Sequence, residues 1–126
     1  MKEIADGSID FFICSHVLEH VPNDIKAMQE LKRILSAKGC GILIVPLNLN
    51  QAEIDEDPNC TDIAERWRRF AQDDHVRAYT KAAFLQRLES VGLKFAQYDK
   101  NFFGKDLMAE NGLCETSTVY VVSRRI

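Results

Sequence analysis

Two short stretches of the chain each hold a run of consecutive apolar residues. Ile9–Ser15 (IDFFICS) holds Phe11, Phe12 and Ile13 in a row, and Gly41–Leu47 (GILIVPL) holds Ile42 to Val45. Short continuous apolar runs predict strands buried on both faces, as in a parallel sheet. Between them the period changes. Pro22 breaks the path out of the first run, and Asn23 or Asp24 can cap a helix. Ile25, Met28, Leu31, Ile34 and Leu35 then recur on one face, with Gly39 as the stop.

The second half is less regular. Residues 48–60 are polar and acidic and predict a surface loop. Thr61 can cap a further helix, with Ile63, Trp67 and Phe70 on its core face. Gln72–Tyr79 (QDDHVRAY) shows no period. Thr80 caps another helix, with Phe84, Leu85, Leu88 and Val91 inward and Gly92 as its stop. Leu93–Tyr98 alternates weakly, Asn101–Glu115 predicts a loop, and Thr118–Ser123 (TVYVVS) is a β-branched final strand. The order strand, helix, strand, loop, helix, helix, strand, strand implies right-handed parallel crossovers at the start and an antiparallel ending.

At 126 residues, 46% of them apolar, the chain makes one domain with a real core. Sixteen basic against 19 acidic residues leave a net charge of −3, without a global pull toward nucleic acid. Arg66, Trp67, Arg68 and Arg69 are too few for a nucleic-acid patch. No apolar run approaches the roughly 18 residues of a membrane span, and MKEIADGS does not read as a signal peptide. Cys14, Cys40, Cys60 and Cys114 show no CxxC pairing and read as reduced thiols of a cytoplasmic protein.

The candidate chemistry gathers where the first apolar run ends. Ser15 and His16 fall at the C-terminal end of a predicted parallel strand, where ligands of open α/β sheets collect. His16, Glu19 and His20 are spaced i, i+3, i+4, so one helical turn puts them on one face. Two imidazoles and a carboxylate can hold a divalent metal, with His75 as a fourth ligand. His75, and with it His20, is also a candidate catalytic base, because imidazole titrates near neutral pH. Arg77 either binds an acidic group of a substrate or pairs with Asp73 or Asp74. All three histidines are expected on one side of the sheet.

The stretch DGSIDFFICSHVLEHV and the later RFAQDDHVRAYTKAAFLQRLESVGL, in this order, resemble the C-terminal half of the class I S-adenosylmethionine-dependent methyltransferases, particularly the type 11 group. The resemblance covers nearly the whole chain. It implies a partial Rossmann-like α/β fold whose segments are the fourth strand, its helix, the fifth strand, the last helix and the final two strands. The sheet is expected to be mostly parallel, with an antiparallel last strand. It implies S-adenosylmethionine as cofactor, met by Ser15, His16 and Val17, and a small-molecule acceptor. The cluster is also similar to the Glu-x-x-Glu-His metal motif of small-RNA 2′-O-methyltransferases and of some quinone-pathway O-methyltransferases, with His16 in place of the first Glu.

The family's glycine-rich turn and its ribose-binding acidic residue have no counterpart here. Gly39-Cys40-Gly41 leads into a strand, the opposite of the context a nucleotide loop needs. The reading is therefore a truncated methyltransferase-family chain, weak or inactive alone, with no cofactor binding at micromolar levels. Two other readings stand beside it: a non-catalytic, dimerising remnant or interaction module, and a metal-dependent enzyme built on the histidines. The absent neighbour of Ile9–Ser15 predicts a homodimer through that strand's edge.

Overall fold

Asn23 caps helix α1 (Asp24–Ile34), its side chain accepting from the Lys26 N–H. The helix does not stop at Gly39. Leu35 is already extended, and strand β2 (Leu35–Ile44) begins with no loop between. Gly39 lies inside β2, beside strand β1 (Ile9–Ser15), where the parallel register slips between Ile9 and Phe11. A Cβ on Gly39 would stand 2.9 Å from the Asp10 carbonyl oxygen and 3.0 Å from that of Ile9. Glycine is needed there for the close approach at the bulge, not to end a helix.

The computed structural model describes residues 1–124. After β2 come β3 (Asp55–Glu56), α2 (Ile63–Phe70), β4 (Arg77–Ala78), α3 (Lys81–Ser90) and β5 (Lys94–Tyr98). The chain then forms α4 (Lys100–Phe103), α5 (Lys105–Glu110) and β6 (Val119–Ser123). The main sheet has the order β1-β2-β6-β5. β1 and β2 are parallel, and β6 runs antiparallel to both of its neighbours, β2 and β5. Three strands therefore share one direction, and the last runs against them.

The core lies on one face of this sheet. Met28, Leu31 and Ile34 of α1 meet Phe84, Leu88 and Val91 from α3 and its end, over Leu43, Tyr120 and Val122. Each large apolar side chain fully buried there contributes about 1.5–3 kcal/mol. Within β1, Ile9, Phe12 and Cys14 pack against this core. Phe11 and Ile13 point to the other face and are 53% and 64% exposed. The expectation that β1 is buried on both faces is thus corrected: the strand is at the sheet edge, with its neighbouring helices on one side only.

Other local expectations shift as well. Asp62, not Thr61, caps α2, accepting from the Glu65 N–H. Ile63 and Trp67 are 61% and 53% exposed, and only Phe70 of the expected face is buried. Thr80 caps α3 as its position implied, and Gly92 closes it at φ 73°. The expected loop at 101–115 carries α4 and α5, the first capped by Asp99. The short β3–β4 ribbon (Asp55↔Ala78, Glu56↔Arg77) lies where no period was visible. Two-residue strands carry too few positions for a hydrophobic period.

Candidate functional site at the C-terminal end of the parallel strands

Past Ser15 the chain turns sharply. His16 takes φ 53° and its N–H donates to the Ile44 carbonyl at 2.9 Å, which ties the turn to the end of β2. His20 N–H donates to the Val17 carbonyl at 3.0 Å, so residues 17–20 make a single tight turn. Leu18 is buried in the core, and Glu19 is buried with it at 0% exposure. One apolar anchor thus carries a carboxylate below the surface.

The turn is clamped from outside. Val76 N–H donates to the Glu19 carbonyl at 2.9 Å. The Arg77 guanidinium donates to the carbonyls of Leu18 (2.5 Å), Val21 (2.5 Å) and Pro22 (2.9 Å) and, through Nε, to Glu56 (3.1 Å). Arg77 is 1% exposed. Arg77 still borders the cleft, but the expected pairing with Asp73 or Asp74 is corrected, because its donors go elsewhere. Its planar donor fork is spent on three backbone acceptors and on Glu56 and Asp24, all distant in sequence. Asp24 in turn receives Arg87 Nη1 at 2.5 Å and the Tyr79 hydroxyl at 2.5 Å. Burial, then the Asp24 hydrogen bond, pushes the Tyr79 phenol well above its usual range.

Because Val76 and Arg77 are fastened to the turn, His75 arrives beside His20. Their rings meet edge to face at a centroid distance of 4.6 Å. Each ring is held by its Nδ1. His20 Nδ1 lies 3.2 Å from an Asp74 carboxylate oxygen, and His75 Nδ1 lies 3.1 Å from the Phe70 carbonyl. The Phe70 carbonyl only accepts, so His75 Nδ1 carries a hydrogen. His75 Nε2 is then the ring nitrogen left with a lone pair. His20 Nε2 is 3.8 Å from Glu19 Oε1, and His16 Nδ1 is 3.4 Å from the same oxygen on the other side. Neither Glu19 carboxylate oxygen has a hydrogen-bond partner.

His16, Glu19, His20 and His75 all line one open cleft of about 820 Å³ at the C-terminal ends of β1 and β2. Asn48, Phe70 and Asp74 complete its walls near the histidines. A smaller hollow of about 370 Å³ lies on the other side of His16, reached by Ser15, Leu113 and Tyr120. Ser15, His16 and Val17 are all exposed at the strand end, Val17 at 45%. The Arg66, Arg68 and Arg69 side chains point at the Cys60 and Asp73 carbonyls, at Glu65, and at Asp55 with Asp57.

Asp24, Glu56, Asp74 and the Phe70 carbonyl were not singled out from the sequence for the parts they play. Each acts on a residue far along the chain or, as with Phe70, through its backbone. The DHVR stretch was the one visible signal, since Asp74, His75 and Arg77 sit together in it.

Residues 1–44 match the methyltransferase-domain family. No curated protein matches the sequence at a significant level. Among solved structures, the fold is similar to that of an assigned methyltransferase of Bacillus halodurans C-125. That alignment has 14% identity and a TM-score of 0.58, and covers 98% of this chain and 73% of the other. It is similar to a chain in the Haloferax volcanii complex of a methyltransferase activator with an assigned methyltransferase (13%, TM-score 0.62, 97% and 57% covered). It is also similar to an S-adenosylmethionine-dependent methyltransferase of Mesorhizobium loti (12%, TM-score 0.57, 94% and 63% covered). This chain thus spans between 57% and 73% of the length of these relatives. Residues 1–44 thus match the methyltransferase-domain family, and the chain as a whole shares the fold of these S-adenosylmethionine-dependent methyltransferases.

Proposed function

We propose that this chain forms the acceptor side of an S-adenosylmethionine-dependent methyl transfer to a small molecule, with the acceptor in the cleft above β1 and β2. The observation that carries this reading is the cleft's position. It opens at the C-terminal ends of two parallel strands, where open α/β sheets bind their ligands. Bound at the end of β1 beside that cleft, S-adenosylmethionine would supply an electrophilic methyl group. Ser15, His16 and Val17 are the residues that would hold it. All three are exposed at the end of β1, with a hydroxyl, an imidazole and an apolar surface side by side. The described residues contain no glycine-rich turn leading from a strand into a helix, so the grip from this chain alone is one-sided and weak.

His75 is the residue proposed to take the acceptor's proton, with His20 next to it. Its Nδ1 is fixed by the Phe70 carbonyl, which leaves Nε2 with a lone pair. The cleft walls then have only to position the acceptor, since an in-line displacement needs no protein nucleophile.

Amide chemical-shift mapping with millimolar S-adenosylmethionine tests the reading, because that concentration reveals weak binding. The expected result is perturbation centred on Ser15, His16 and Val17, with calorimetry silent at micromolar levels. Perturbations confined to other parts of the surface would overturn the reading. A second reading, a non-catalytic interaction module, is favoured by one feature: the apolar side chains Phe11 and Ile13 exposed on an edge strand.

A further inference from the structure

The cleft holds a feature that methyl transfer does not use. Glu19 is a fully buried carboxylate, and neither of its oxygens accepts a hydrogen bond. An ionised carboxylate taken out of water without partners costs several kcal/mol, so an arrangement that leaves both oxygens open calls for a cation. Two flanking imidazoles face it. One ligand atom each from Glu19, His20 and His75 lie within 4.8 Å of one another.

The surroundings of the two rings point the same way. His20 Nδ1 is held by the Asp74 carboxylate, and His75 Nδ1 by the Phe70 carbonyl. Metal-ligating histidines are characteristically oriented in this manner, the outer nitrogen donating to a carboxylate or carbonyl so that the inner one keeps its lone pair. Here the outer nitrogen of His75 is so engaged, that of His20 has the Asp74 carboxylate at 3.2 Å as an ion-pair partner, and the inner nitrogen of His20 faces Glu19.

We infer that Glu19, His20 and His75 form a three-ligand site for a divalent transition-metal ion, with its fourth position open to the cleft. Two imidazole nitrogens and one carboxylate oxygen make a ligand set suited to zinc, and acceptable to manganese or iron. Ligand atoms about 2.0–2.1 Å from zinc lie roughly 3.3 Å apart in a tetrahedron. The 4.8 Å cluster must therefore draw in by about 1.5 Å at its widest, which side-chain rotation can supply. His16, which the i, i+3, i+4 spacing grouped with the others, falls outside this set. It sits across the carboxylate with its side chain 61% exposed, and serves at most as a neighbour of Glu19.

The inference rests on the cluster alone and stands as an alternative to the base role of His75, whose Nε2 lone pair an ion would occupy, so its test uses no S-adenosylmethionine. Chelator-treated protein is titrated with zinc chloride and, separately, manganese chloride by calorimetry. Cobalt(II) absorption serves as a second readout of coordination. Wild type is expected to take up one equivalent of zinc with a tetrahedral cobalt spectrum. Glu19→Gln and His75→Gln are expected to lose that equivalent, Asp74→Asn to bind 10–100-fold more weakly, and His16→Gln to bind like wild type. Circular dichroism of each variant separates lost binding from lost folding, and His75→Gln, at a partly exposed position, is the variant expected to stay folded. Absence of stoichiometric uptake by wild type, or uptake unchanged in folded His75→Gln, would overturn the site.

Discussion

Arg77 shows what one residue does in this chain. A buried guanidinium is stable only where its donors are met. Here they are met by three carbonyls of the turn that carries Glu19 and His20, and by Glu56. Arg77 is thus a positioning residue: it fixes where the cleft's functional groups stand without reaching into the chemistry. Arg77→Met removes the clamp and leaves Arg87 as the cation facing Asp24 and Glu56. The expected cost is about 3–5 kcal/mol, the range for breaking one side of a buried charge network, measured by urea unfolding. A loss under about 1 kcal/mol, the scale of surface pairs, would show that the clamp is not what holds the turn. The sequence marked Arg77 as noteworthy but gave it the wrong partners. Its actual ones lie more than 50 positions away, as with the Leu18 carbonyl, or beyond a loop, as with Glu56.

At the scale of elements, the short β3–β4 ribbon has a task its length conceals. It carries Asp55 to Arg69 and Glu56 to Arg77 and Arg87, so it fastens α2, β4 and α3 together through ion pairs. The hydrogen bond from Arg87 holds the Glu56 carboxyl below its ordinary value, against desolvation, and Arg69 does the same for Asp55. Folded pKa values lowered from 4.5 and 3.8 contribute stability that is complete above those values. That stability is lost as pH falls through the lower folded values. Thermal melts between pH 7 and pH 3 should therefore decline below about pH 4.5, and the Asp55→Asn, Glu56→Gln double variant should flatten that decline. An acid slope identical to wild type would remove the ribbon from the account. Both carboxylates are about one-third exposed, so salt should weaken the effect.

Over the whole molecule, the sheet is finished on one face and open on the other. The register sets Ile13, Ile42, Val121 and Ala96 in a row across all four strands, on the face away from α1 and α3. Ile13 and Ala96 at the two ends are exposed. β1 also pairs on one side only, leaving an edge of unpaired backbone groups. Apolar edges of this kind favour pairing with another chain. We expect self-association through Ile9–Ser15, seen as a concentration-dependent sedimentation coefficient, and a shift to monomer in Phe11→Thr, Ile13→Lys. A wild-type monomer at all concentrations would show that the edge is tolerated as it stands.

The sequence by itself determined the elements with long enough periods: α1 and α3 with their caps Asn23 and Thr80, the two parallel strands, and the antiparallel ending. Local spacing and capping chemistry are written into neighbouring residues and need no tertiary knowledge. It also placed His16, Glu19 and His20 in one turn at a strand end, since a turn is a local event. Only the tertiary structure decided which of these became partners. It brought His75 against His20, buried Glu19 without a hydrogen bond, tied the Arg77 guanidinium to the backbone of the Leu18–Pro22 turn and exposed one face of β1. Those outcomes depend on which strand lies beside which and which helix covers which face. A continuous apolar run does not record whether both of its faces will find something to cover them.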